Sequence, residues 1–165
     1  NEEPSACIIE SQSVKTDSFV SEDVGYDGNK KIKGRKRHIM VDAQGFLLDA
    51  IVGPANEYDS KAEEYLLDSA FLEFTKIELV YADSAYGGRA CKYIEMLGKA
   101  AEIISRERGQ KFVVLPRRWK VEQTFSILCC RRRLAKDYEK KPVNSRAWIL
   151  ISEIMRQFKR LYMNS

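Results

Sequence analysis

The chain has 165 residues, 44% hydrophobic and 32% charged, with a formal net charge of +4. That length suits one domain with a sizeable core, and the balance of apolar and charged residues reads as soluble and globular. There is no apolar run of membrane length, no signal peptide and no lipidation motif, which leaves a cytoplasmic setting and no membrane partner as the expectation. The net charge hides an asymmetry: residues 1–105 carry 12 Lys+Arg against 19 Asp+Glu, and residues 106–165 carry 16 against 5. A basic half beside an acidic half points to a polyanion partner on one face. The four cysteines do not suggest a metal centre. Cys7 and Cys91 are isolated, Cys129 and Cys130 are adjacent, and His38 is the single histidine, so no zinc-ligand spacing is present.

Taken in chain order, Ala6–Ile9 is a short apolar run suited to a buried strand, and Thr16–Gly28 reads as a loop. Arg37–Asp42 and Phe46–Val52 are apolar runs separated by Ala43-Gln44-Gly45, a hairpin pattern. Ser60 to Glu63 has capping-box spacing ahead of an apolar helical face at Tyr65, Leu66 and Leu67. Ile77–Ala82 alternates as a strand, Gly87-Gly88 opens a helix to Leu97, and Glu102–Ser105 is another short strand. Lys111–Leu115 is apolar and β-branched, a further short strand or an extended lead-in. Pro116 suits the first turn of a helix running to about Leu134, with Val121, Phe125 and Leu128 as its apolar stripe. A last amphipathic helix follows Pro142, with Ile151, Ile154, Met155, Phe158 and Leu161 expected inward. This order describes one mixed α/β layer with helices packed on a sheet.

Three carboxylates stand out within that frame. Glu10 ends the first apolar run, Asp83 follows the strand at Ile77–Ala82, and Glu122 lies one position round from the apolar stripe of its helix. Carboxylates at two strand ends and on one helix face can converge on divalent cations, which cleave and join phosphodiesters by in-line displacement. Each residue alone has a plainer reading, as a turn residue or a helix cap. Asp42 and Asp59 fit those plainer roles, at the hairpin turn and at a helix start.

The basic residues form two groups. Lys30, Lys31, Lys33, Arg35, Lys36 and Arg37 lead into the hairpin, and Arg117, Arg118, Lys120, Arg131, Arg132 and Arg133 flank Glu122 along its helix. Like charges this dense repel one another unless an anion offsets them, and phosphates do so with release of counterions. A nuclear-localisation signal is the rival reading of the first group, and a solvated helix face that of the second. Trp119 is read as core ahead of a base-stacking role.

The segments SQSVKT, GYDGNKKIKGRKRHIMVDAQG, VYADSAYGG, FVVLPRRWKVEQTF and RRRLAKDYE, in this order and spacing, resemble the catalytic domain of DDE transposases of bacterial insertion sequences, the insertion-sequence-five group. The resemblance runs from about Ile8 to Tyr162. It implies a ribonuclease-H-like fold, a mixed five-stranded sheet flanked by helices, as one catalytic domain over residues 1–165 without the N-terminal DNA-binding region. It also implies metal-dependent strand cleavage and transfer with Mg²⁺ or Mn²⁺, double-stranded DNA as partner (element ends and target), and a homodimer assembled on that DNA. The three acids of the family fall on Glu10, Asp83 and Glu122 as catalytic metal ligands, and the family's arginine four residues before the third acid falls on Arg118. The sequence departs from the pattern in three places. Glu10 replaces the usual Asp, and Leu115 and Cys129 replace a Tyr and a Lys of the wider group. A catalytically impaired remnant acting only as a DNA-binding module is therefore the alternative. A generic α/β interaction domain would leave the basic half without a role.

Overall fold

The structure, a computed structural model, describes residues 3–57, 59–83, 88–104 and 116–163. Side chains at 59–61, 63, 116–118 and 163 lie outside that description. The strands are β1 (Ala6–Lys15), β2 (Gly25–Asp27), β3 (Ile32–Asp42), β4 (Leu47–Pro54), β5 (Leu79–Asp83) and β6 (Ala100–Ile104). The helices are α1 (Asp59–Glu73), α2 (Arg89–Met96), α3 (Pro116–Cys129), α4 (Arg132–Ala135) and α5 (Pro142–Met163).

One mixed sheet runs β2-β3-β1-β5-β6, with β4 also paired to β3. Gly34 of β3 faces Lys15 of β1 on one edge and Gly25 of β2 on the other, while Arg35 to Val41 of β3 pair with β4. Strands β2 and β4 thus lie end to end along the same edge of β3, and six segments fill the five strand positions that were expected. β1 and β3 are antiparallel, whereas β1–β5 and β5–β6 are parallel, joined through helices as parallel strands require.

Each face of the sheet carries its own core. Cys7, Ile9, Met40, Val80 and Ala82 pack with Leu66, Leu67 and Ala70 of α1 and Ile94 of α2. Ile8, Ile39, Val41 and Tyr81 pack on the other side with Val121, Phe125 and Leu128 of α3, Leu134 of α4 and Ile149 of α5. The period-two alternation of the strands sorts neighbouring residues between the two cores. At the hairpin, Asp42 Oδ1 accepts from the backbone N–H of Gln44 and of Phe46, both at 2.8 Å, and Gly45 takes a left-handed φ of +83°. That is the turn role expected of Asp42. Gly34 is needed for close approach, because a Cβ there would strike the Val14 carbonyl of β1.

Four expectations from the sequence change. β1 continues through Ser11–Lys15, a polar stretch with no apolar alternation, because pairing with His38 to Gly34 of β3 satisfies its backbone. The loop expected over Thr16–Gly28 contains β2 and a bridge from Thr16 to Asp137. The long helix expected from Pro116 stops at Cys129. Arg131 is extended (ψ 122°), and a short α4 turns Leu134 back into the core.

The fourth correction concerns α5. Ile151, Ile154, Met155, Phe158 and Leu161, expected inward, are exposed, and Ser145, Ile149, Ser152 and Glu153 are buried instead. The buried face docks on β4 largely through polar bonds. Arg146 donates to Ala50 O at 2.7 Å and to Asp49 at 2.8 Å, and Glu153 Oε1 accepts from the Leu47 backbone N–H at 3.4 Å. A helix face held by hydrogen bonds looks solvent-facing in a hydrophobic pattern, which is why the prediction inverted. The capping-box side chains and Lys111–Leu115 fall outside the described residues. No helix among the described residues is long and apolar enough to cross a membrane.

Candidate active site

Ile9 of β1 sits beside Ala82 of β5 in the parallel register, so Glu10 and Asp83 come next at the same level on adjacent strands. Their side is set by alternation. Ile8 and Tyr81 belong to the core under α3, and Glu10 and Asp83 each lie two residues further along the same strand. Both are half-buried. Asp83 ends β5, whereas Glu10 lies inside a strand that continues to Lys15, at the point where β1 outruns its neighbour. Glu122 lies on α3 next to the fully buried Val121 and is itself exposed, at the rim of the same face. Two carboxylates thus share one level of the sheet, and the third rides on the helix that packs over it. As placed, no three His, Cys, Asp or Glu side chains among the described residues form a group able to hold a metal ion.

α3 is fixed over this face at several points. Thr124 Oγ1 donates to Gly45 O at 3.0 Å, tying the helix to the β3–β4 turn. Cys129 Sγ lies 3.5 Å from Gln12 Oε1, and Gln12 follows Glu10 by two residues on the same face of β1. Gln12 drew no notice in the sequence. Its signal was available once β1 was known to extend past Ile9, since it then falls on the side that carries Glu10. Trp119, read as core, is 49% exposed near the start of α3.

The basic run before the hairpin divides by strand alternation. Lys30, Lys31 and Lys33 are exposed, and Lys36 is half-buried with Nζ 3.1 Å from Glu57 O. Arg35 and Arg37 are corrections. Expected on the DNA-facing surface, both are fully buried. They lie on the α3 side of β3, in the row that continues to Ile39 and Val41. Arg35 donates to Glu139 O at 2.7 Å, Lys140 O at 2.8 Å and Glu22 O at 2.7 Å, and pairs with the buried Asp137 at 3.4 Å. It staples β3 to the segments before α5 and before β2. Arg37 Nη1 donates to Leu134 O at 2.6 Å, and burial pushes its pKa down from the usual guanidinium value. Asp137, which no local pattern singles out, is the acid that makes the buried Arg35 tolerable. Its Oδ1 and Oδ2 each lie 2.7 Å from Ser145 Oγ.

Of the second basic group, Lys120 and Arg131 are half-buried and Arg132 and Arg133 exposed. Arg133 is partly committed, to Glu139 at 2.7 Å and over the Trp148 ring at 5.0 Å. The side chains of Arg117 and Arg118 lie outside the described residues.

Residues 1–154 match the Transposase DDE domain family. The chain belongs to that family. This transposase domain therefore has the class of chemistry that its paired carboxylates suggested, DNA strand transfer by a nucleotidyl-transferase-type enzyme, and the family works with divalent metal ions. The match is to the DDE domain as a whole and does not specify a group of insertion sequences. Its fold is similar to the catalytic core domain of BIV integrase, at a TM-score of 0.56 and 10% identity over 91% of this chain and 81% of that one. That likeness shows the shared ribonuclease-H-like architecture. Weaker likenesses are to piggyBac transposase in a synaptic complex with hairpin DNA (TM-score 0.43, 14% identity, 67% of this chain and 24% of that one) and to Mos1 transposase in a paired-end complex with the left transposon end (0.39, 13%, 60% and 35%). Both scores are too low to bear on the fold. Among curated proteins none matches this chain.

Proposed function

We propose that this transposase domain cleaves and joins DNA at the ends of an insertion sequence, with Glu10, Asp83 and Glu122 as the acids that hold Mg²⁺ or Mn²⁺. The observation that carries this reading is the shared level of Glu10 and Asp83 on adjacent parallel strands, facing the helix that bears Glu122. The donor set fits a hard cation: three carboxylates offer oxygen alone, the choice of Mg²⁺ and Mn²⁺ and not of softer metals. Cations bound there supply activation of the attacking oxygen and stabilisation of the departing one.

The chain's own residues do the rest. β1 and β5 fix two acids on a rigid sheet, the better platform for a site that tolerates little misplacement. Half-burial of Glu10 and Asp83 limits solvent around them. The exposed Lys30, Lys31 and Lys33, with Arg131 and Arg132, form the cationic surface that positions the DNA backbone, and Arg117 and Arg118 belong to it by sequence. Arg132, Arg133 and Tyr138 line an open cleft of about 530 Å³ that could seat a phosphate or a displaced base. The domain acts on DNA in the cytoplasm and assembles on it as a homodimer.

The test is a nicking assay on supercoiled and element-end DNA with Mg²⁺, Mn²⁺ or chelator. Cleavage that requires the metal and disappears in Asp83→Ala and Glu122→Ala supports the reading. Cleavage that survives either substitution removes that residue from the site. Salt-dependent DNA binding without any cleavage moves the function to a binding module.

A further inference from the structure

The exposed face of α5 is organised as a helix-pairing seam. Ala147, Ile151, Ile154, Phe158 and Leu161 follow one another at alternating intervals of four and three residues, the 3.5-residue period of a helix that pairs with another helix. All five are exposed, although the opposite face of the same helix packs on β4. Met155 and Tyr162 widen the seam on one side, and exposure runs from 43% at Ile151 to 76% at Tyr162. The Phe158 and Tyr162 rings are already stacked, at 6.2 Å between centroids, which lowers the entropy lost on docking. Such a contiguous apolar patch marks an interaction site.

We propose that this seam is where two copies of the chain pair, α5 against α5. Two observations select a second copy. The positions flanking the seam, Trp148, Leu150, Met155, Gln157 and Tyr162, carry no charge. Helices that choose a different partner do so mainly through charges at those positions, so an uncharged border suits self-pairing. Finally, Arg146, Glu153 and Arg156 of α5 are committed to the protein's own Asp49, Gly45 and one another. These three are not arranged toward the seam for an acidic partner or a lipid headgroup, and Arg160 is held over the Phe46 ring at 4.8 Å, which leaves Lys159 as the other exposed cation beside it. Pairing about a two-fold axis uses the same patch on both copies and closes without further growth.

This inference deepens the proposed homodimer and rests on the transposase reading only for its DNA context. It is tested without DNA, so the two can fail separately. Sedimentation equilibrium of the 165-residue protein between about 1 and 100 µM should show a monomer–dimer equilibrium, the range in which a micromolar dimer dissociates. The double variant Ile154→Glu with Phe158→Glu should raise the dissociation constant by at least about 100-fold, since pairing would bury charges without partners. Its far-UV circular dichroism and melting temperature should match those of the native monomer. Should that variant misfold, Ile151→Ser with Ile154→Ser gives the same reading with a milder change. A native protein that stays monomeric throughout overturns the proposal, as does a folded variant that dimerises equally well. Binding of a monomeric native protein to phosphatidylcholine vesicles also overturns it, in favour of a lipid surface. A dimeric protein with no metal-dependent nicking leaves the seam standing and removes the catalytic reading.

Discussion

Arg35 provides the sharpest test of how the basic run is used. If Arg35 faced DNA, Arg35→Met would leave stability unchanged and reduce the salt dependence of binding by about one unit of log–log slope. The structure predicts the opposite. Arg35 and Asp137 are 0% and 1% exposed, and the guanidinium also donates to the backbone carbonyls of Glu22, Asp23, Glu139 and Lys140. Arg35→Met leaves the Asp137 carboxylate buried without its cation, and these four carbonyls lose a charged donor. Breaking a buried pair from one side costs about 3–5 kcal/mol. Ser145 Oγ and the Glu139 N–H still bond Asp137. These contacts favour the lower half of that range, about 3–4 kcal/mol, a large part of the 5–15 kcal/mol total typical of a domain. For a chain of this size the melting temperature should fall by about 10 °C. Asp137→Asn keeps the hydrogen bonds to Ser145 and removes only the charge, so it should cost less, about 2 kcal/mol. The assay is urea unfolding of both single variants and the double, followed by circular dichroism with a check that the slope in denaturant is constant. A strong coupling energy between the two positions is the expected result. Full stability in Arg35→Met, with a lowered salt slope for DNA, would refute the buried assignment.

Four other outcomes follow from the same structure. Glu10 carries one methylene more than the aspartate usual at its position, so Glu10→Asp should raise Mn²⁺- or Mg²⁺-dependent nicking several-fold; an equal or lower rate shows Glu10 to be a competent ligand as it stands. Asp83→Ala should lower the rate by at least about two orders of magnitude, since 1.36 kcal/mol of lost transition-state stabilisation is tenfold. Charge removal at Lys30, Lys31 and Lys33 together with Arg131 and Arg132 should weaken binding to all DNA sequences alike and flatten its salt dependence; an unchanged slope in filter binding places the surface elsewhere. The thiols should separate by burial: Cys7, fully buried with its pKa pushed up to about 12, should resist a thiol reagent at pH 8 until the protein unfolds, while the exposed Cys130 labels in the native state. Rapid native labelling of Cys7 would contradict the packing of β1 in the core.

The sequence by itself determined most of the architecture, because the period of apolar residues reports which backbone geometry buries them. The hairpin with its Ala43-Gln44-Gly45 turn, the β5 strand ending at Asp83, and the apolar stripe Val121, Phe125 and Leu128 of α3 were legible for that reason. The candidate acids were legible as types in a sequence order. Their common level on the sheet was not, since the register between β1 and β5 joins residues some seventy positions apart. Local pattern also failed where polar groups are buried. Arg35 and Arg37 looked like surface cations, and only the tertiary structure supplies Asp137 and the carbonyls that let Arg35 leave water, with one such carbonyl, Leu134 O, for Arg37. The same cause inverted α5. Its face on β4 is held by Arg146 and Glu153 and reads as solvent-facing, while the apolar seam that reads as core points outward. Hydrophobic periodicity shows that a helix has two unlike faces; which one meets the sheet depends on hydrogen-bond partners that sequence spacing does not reveal.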